Sequence, residues 1–186
     1  MKRYIRPAAA VLAIATSLIA GTSIAGNIQF NGQVTAETCK SDVFGSTNQT
    51  IYLENVAASE FGTASGIIKG ITDFTIRVSG CAVLPNAAKT FTVGFQAGTQ
   101  TNGDGQLVNM APSGSDVVLG IFSDAAAGTP IDLSGGAVVT NGVPTVTVAA
   151  GDTGGTQTYY VAYVSTSTAT TEGPVYASLN YVVSYQ

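Results

Sequence analysis

Apolar and polar positions alternate with a period of two along most of this chain. From Val175 onward the odd positions are Val175, Ala177, Leu179, Tyr181, Val183 and Tyr185, and the even ones between them are Tyr176, Ser178, Asn180, Val182 and Ser184. That pattern predicts a strand with one apolar face, running to within one residue of Gln186. The opposite end repeats it: Ile28, Phe30, Gly32 and Val34 alternate with the amides Asn27, Gln29, Asn31 and Gln33. Between these ends the segments QTIYLENV, DFTIRVSGC, TFTVGFQAG, VVLGIFSD, PTVTVAAG and TYYVAYVST carry alternation or β-branched and aromatic enrichment. They are separated by TNGDGQ, APSGSD, AAAGTP, LSGGA, GDTGG and TEGP, which carry the residues that favour turns. Short strands with such punctuation predict an all-β sandwich. Ala57 to Ile71 is the least regular stretch and is read as a loop with one helical turn.

Composition changes this picture at the N-terminus. Lys2, Arg3 and Arg6 precede an Ala-rich apolar run from Ala8 to Ala20, and Ser23-Ile24-Ala25 follows as a small-x-small pattern. This is the grammar of a secretory signal, with cleavage expected after Ala25. A cut after Ala20 is the alternative, and it would leave Ile24 in phase with Ile28 and Phe30. Three of the seven basic residues lie in that leader, so the rest of the chain sets four against eleven acidic residues. Such an acidic, charge-poor surface argues against nucleic acid and anionic lipid as partners. An exported chain with two cysteines, Cys39 and Cys81, is expected to join them in a disulfide. Closing a loop of roughly 40 residues contributes about 4 kcal/mol on the chain-entropy argument. The expected organisation is a leader over 1–25, an N-terminal extension over 26–38 and one domain over 39–186.

Candidate chemistry is sparse. The chain has no histidine, which removes a Ser-His-Asp triad and disfavours a zinc site built with the two cysteines. TNGDGQ resembles a calcium loop but lacks the closing glutamate, so a hairpin turn is the stronger reading. GDTGG has no following lysine or helix to make a phosphate cradle and is read as a turn. Tyr159, Tyr160 and Tyr163 could form a sugar-binding platform, although strand alternation instead turns alternate members toward the core. No catalytic residue, metal or cofactor is expected.

GNIQFNGQVTAETC, FTIRVSGC, VVLGIFSDAAAGTPIDL and EGPVYASLNYVVSYQ fall in an order that resembles the pilin subunits of chaperone-usher fimbriae, type 1-like pilins above all. The most specific of these is the last, in which alternation, a penultimate Tyr185 and Gly173 fourteenth from the end coincide. The resemblance implies an incomplete immunoglobulin-like β-sandwich lacking its last strand. It implies a donor strand carrying Ile28, Phe30 and Gly32. It also implies an acceptor groove and chaperone-binding edge formed by Gly173, Ala177, Leu179, Tyr181, Val183, Tyr185 and Gln186. The implied partners are a periplasmic chaperone, an outer-membrane usher, neighbouring pilin subunits in a head-to-tail polymer and host surface receptors. The implied location is a fimbrium on the bacterial surface, reached through the periplasm. A minor or tip-associated adhesin subunit binding host carbohydrate is the alternative; tip adhesins of this type place a lectin domain first, and Cys39 follows the leader too closely to leave room for one.

Overall fold

Alternating β-branched and aromatic residues build eight strands in the computed structural model, which describes residues 39–83 and 86–185. The leader, the extension with Ile28, Phe30 and Gly32, and Gln186 lie outside the described residues. The strands are β1 (Lys40–Val43), β2 (Ile68–Ser79), β3 (Lys89–Gln96), β4 (Leu107–Val108), β5 (Val118–Phe122), β6 (Val146–Val148), β7 (Gly155–Val164) and β8 (Asn180–Tyr185). A single 3-10 turn, Ala58–Phe61, interrupts them. One sheet has the order β1-β2-β7-β5-β4 and the other β6-β3-β8, and the strand pairs within both are antiparallel.

The two sheets face each other across one apolar core, as the strand pattern requires. β2 contributes Phe74, Ile76 and Val78, β3 contributes Phe91, Val93 and Phe95, and all six are buried while Thr75 and Thr92 between them are not. Tyr159 of β7 is fully buried at their centre, stacked on Phe74 at 5.7 Å and edge-on to Phe95 at 5.1 Å between ring centroids. Its hydroxyl donates to the Pro144 carbonyl, so the one polar atom of this ring is satisfied. All five residues of β5 are buried, because both faces of this strand are covered. Leu119 and Ile121 join the main core; Val118 and Phe122 face a smaller cluster with Ala127, Ala162 and Val164. Asp124 shapes the loop over that second cluster, its carboxylate accepting from the amides of Ala126, Gly128 and Thr129.

Cys39 and Cys81 form the expected disulfide. It lies just beyond the β1–β2 ladder, whose first pair is Lys40 with Ser79, and links Cys39 to a residue one past its register position. TNGDGQ is a turn: the Asn102 side-chain oxygen accepts from the amides of Asp104 and Gln106.

Three boundaries differ from the sequence reading. β2 starts at Ile68, so the end of the stretch read as a loop is strand; a bulge between Lys69 and Thr72, centred on Gly70 at φ +61°, breaks the alternation there. QTIYLENV keeps the burial alternation of a strand but forms no ladder, since no described strand lies beside it. The last strand pairs only from Asn180, where its partner β3 ends at Gln96.

Candidate functional site

Two segments that lie largely outside the ladders face each other. Residues 47–57 form one lip of an open groove and residues 173–181 the other, and the groove encloses about 1220 Å³. Its floor is the core itself: Phe74 and Ile76 of β2, Phe95 of β3, Leu119 and Ile121 of β5, and Val161 of β7 all line it. A groove of this size floored by core side chains invites an apolar occupant, because the hydrophobic effect favours filling it.

The C-terminal lip follows the alternation read from sequence. Val175, Ala177, Leu179, Tyr181 and Val183 are half-buried against the core, and Tyr176, Ser178, Asn180, Val182 and Ser184 are exposed. Gly173, Ala177, Leu179 and Tyr181 line the groove directly. Val183 and Tyr185 continue the same edge beyond it, opposite Val93 and Phe91, with the Tyr185 ring 5.5 Å from that of Phe91. The facing lip repeats the alternation, with Ile51 and Leu53 packed against the core and Tyr52 between them 87% exposed. Tyr163 stands in the groove wall, where burial pushes its phenol above the usual range, and its hydroxyl donates to the Glu54 carbonyl at 3.2 Å. The three tyrosines of β7 thus separate. Tyr159 is core, Tyr163 is groove wall, and Tyr160 packs on the smaller cluster across the sheet.

Main-chain chemistry distinguishes this groove from a mere fissure. Pro174 and Tyr176 turn their main-chain groups toward the loop of residues 109–115: Met110 N–H donates to the Tyr176 carbonyl at 2.8 Å and Ser115 N–H to the Pro174 carbonyl at 3.2 Å. Among the described residues, the amides and carbonyls of Val175 and Ala177 have no partner. A row of unpaired main-chain groups along a groove floored by core side chains is a template for one more strand.

Sequence reading did not single out the residues that hold this lip. Asn109 bonds to Ser115, Pro174, Ala111 and Tyr176 through its side-chain amide. Its oxygen's bond to the amide two residues on is an Asx turn, and Asn at the head of Asn-Met-Ala-Pro-Ser-Gly carries that signal in the sequence. Asp116 accepts from the Ser167 hydroxyl at 2.6 Å and from the Thr171 amide at 2.8 Å. These bonds, the Ser167 hydroxyl first, hold its carboxyl below the usual aspartate range. Nothing local marks that long-range clasp. Ile51 and Leu53 were read as strand but not as part of a site.

Comparison with known proteins agrees with this architecture. The family model described as fimbrial protein matches residues 28–186. The chain is 34% identical over 163 residues to the F17 fimbrial protein of Escherichia coli, covering 87% of each chain. It is 29% identical over 174 residues to the major fimbrial subunit SMF-1 of Stenotrophomonas maltophilia (strain K279a), covering 92% of this chain and 99% of that protein. A solved chaperone-usher pilus shares the fold at a TM-score of 0.58 and 20% identity, over 87% of this chain and 95% of that one. A structural protein rather than an enzyme, the chain belongs to the fimbrial protein family.

Proposed function

We propose that this chain is a structural pilus subunit that polymerises by donor-strand exchange into surface fibres mediating adhesion. The observation that carries this reading is the groove between residues 47–57 and 173–181, with core side chains as its floor and unpaired main chain on its C-terminal lip. The N-terminal segment of a second copy has the matching chemistry: Ile28 and Phe30 on one face, with Gly32 in phase, and amides on the other. Each large anchor, once covered, contributes about 1.5–3 kcal/mol. The inserted backbone completes the hydrogen bonding of the lip, which is β-augmentation. Because the donated and accepting surfaces differ, the contact is heterologous and propagates as an open fibre rather than closing into a dimer.

Before assembly the same edge needs a substitute strand, and a periplasmic chaperone is the partner that supplies it. Tyr185 with Gln186 is where that chaperone grips, and an outer-membrane usher is where it hands over. The leader over 1–25 directs the chain to that route.

The test is a deletion of the mature residues before Asn31. It should leave a soluble chaperone complex that cannot join the preceding subunit, read by electrophoresis of surface polymers. Fibres forming at the normal level from this truncation would refute the donor role. Replacing Tyr185 with Ser removes the ring against Phe91 and should lower the periplasmic yield several-fold through weaker chaperone capture; unchanged yield and unchanged fibres would refute the grip.

A further inference from the structure

We infer that Asn109 is a positioning residue for strand acceptance, setting which main-chain edge of residues 174–177 is offered to the incoming strand. The inference rests on the donor-strand reading above and assigns the device that prepares its acceptor.

Asn109 directly follows β4 and is partly buried against the C-terminal lip. Its side-chain nitrogen donates to the Ser115 carbonyl at 2.8 Å and to the Pro174 carbonyl at 3.0 Å. Its side-chain oxygen accepts from the Ala111 amide at 3.0 Å and the Tyr176 amide at 2.9 Å. Two donated and two accepted bonds exhaust what a carboxamide can do. Half of them cross to the C-terminal lip and half fix the loop of residues 109–115 from which that crossing is made.

The consequence follows from strand geometry. Along an extended chain, successive residues point their N–H and C=O groups to opposite edges. Tying Pro174 and Tyr176 to the 109–115 loop therefore sends the main-chain groups of Val175 and Ala177 to the groove edge. The same phase turns the side chains of Val175, Ala177 and Leu179 to the core. Below Asn180 no strand pairs with this segment, so its phase rests on the two main-chain bonds from Met110 and Ser115 and on the side chains that brace the loop making them. A slip of one residue would offer the wrong main-chain groups and expose the apolar side chains together. Asn109 opposes that slip, with the Asp116 clasp on Thr171 as a second hold upstream.

Asn109→Asp tests this with almost no change of shape. It places a carboxylate oxygen against the carbonyls of Ser115 and Pro174 where an amide nitrogen now donates. The full-length oxidised chain is mixed with an excess of a labelled synthetic peptide of residues 26–35, and the rate of capture is measured beside amide hydrogen exchange. The variant should capture the peptide about tenfold more slowly, the order expected when the two donated hydrogen bonds are lost. Exchange should quicken over residues 173–179 while β2 and β7 keep their protection. Thr171→Val, which removes only the hydroxyl bonds of the upstream hold and leaves the Thr171 amide on Asp116, should shift both readouts the same way by less. Capture at the wild-type rate would overturn the inference, and so would exchange that rises equally through β2 and β7, since that is loss of fold. A wild-type chain that ignores the peptide would overturn the donor-strand reading itself, and this inference with it.

Discussion

Gly173 sits at φ +154°, and a Cβ built there would lie 2.6 Å from the Ser115 nitrogen, 2.7 Å from the Gly114 carbonyl carbon and 2.9 Å from the Ser113 oxygen. All three are backbone atoms, so no side chain can move aside to make room. The C-terminal lip crosses the 113–115 loop at this point, and only hydrogen fits between them. Gly173→Ala should therefore cost about 1–3 kcal/mol by overpacking. Thermal melting should show the loss, and Gly151→Ala is the control: it is strained by a positive φ but meets no neighbouring atom. The position of Gly173 was legible in the sequence through its spacing from the chain end. Its cause was not, because the atoms that exclude a side chain come from residues about sixty positions earlier. Asn109 escaped notice for the same reason, as two of its bonds span 65 and 67 residues.

Among the elements, the C-terminal lip was read most accurately by its alternation and least accurately by its length. Odd-in and even-out is a property of the segment itself, but a ladder needs a partner, and β3 ends opposite Asn180. QTIYLENV teaches the same lesson, since its side chains obey the strand period although no described strand hydrogen-bonds to it. In place of a ladder, the C-terminal lip is held by two main-chain bonds from the 109–115 loop and by side-chain chemistry, part of which titrates. The Asp116 carboxylate has a lower pKa folded than unfolded, because Ser167 and Thr171 donate to its charged form. Its stabilisation is therefore complete above the ordinary aspartate pKa and is lost as the pH falls through the lowered, folded value. Thermal stability should drop on acidification below about pH 4. Asp116→Asn should flatten part of that drop while lowering stability at neutral pH. Asp124 and Asp132, each lowered by backbone amides first, supply the remainder. An acid profile identical in Asp116→Asn and wild type would remove the clasp from the account.

In the molecule as a whole, two sheets share one core, and the alternating segments of the sequence supply most of the strands. Their order, β1-β2-β7-β5-β4 against β6-β3-β8, was not legible, because strand neighbours are chosen by packing between segments far apart in the chain. Nor was the smaller cluster under the Asp124 loop, since a fully apolar run such as VVLGIF does not say what covers its second face. The disulfide was legible from the cysteine count and the expectation of export. Joining β1 to the end of β2, it fastens the root of the segment that becomes the N-terminal lip. Cys39→Ser with Cys81→Ser should cost about 4 kcal/mol, measured by denaturant unfolding. With an open groove there is little stability to spare, so the variant should also be the more readily cut by added protease.

The chain contains no tryptophan, so tyrosine dominates its near-ultraviolet optical activity. Tyr159 is held rigidly between Phe74 and Phe95, and both of those rings form part of the groove floor. Filling the trough should thus sharpen a tyrosine circular-dichroism band near 280 nm, giving subunit capture a label-free signal that needs no engineered dye.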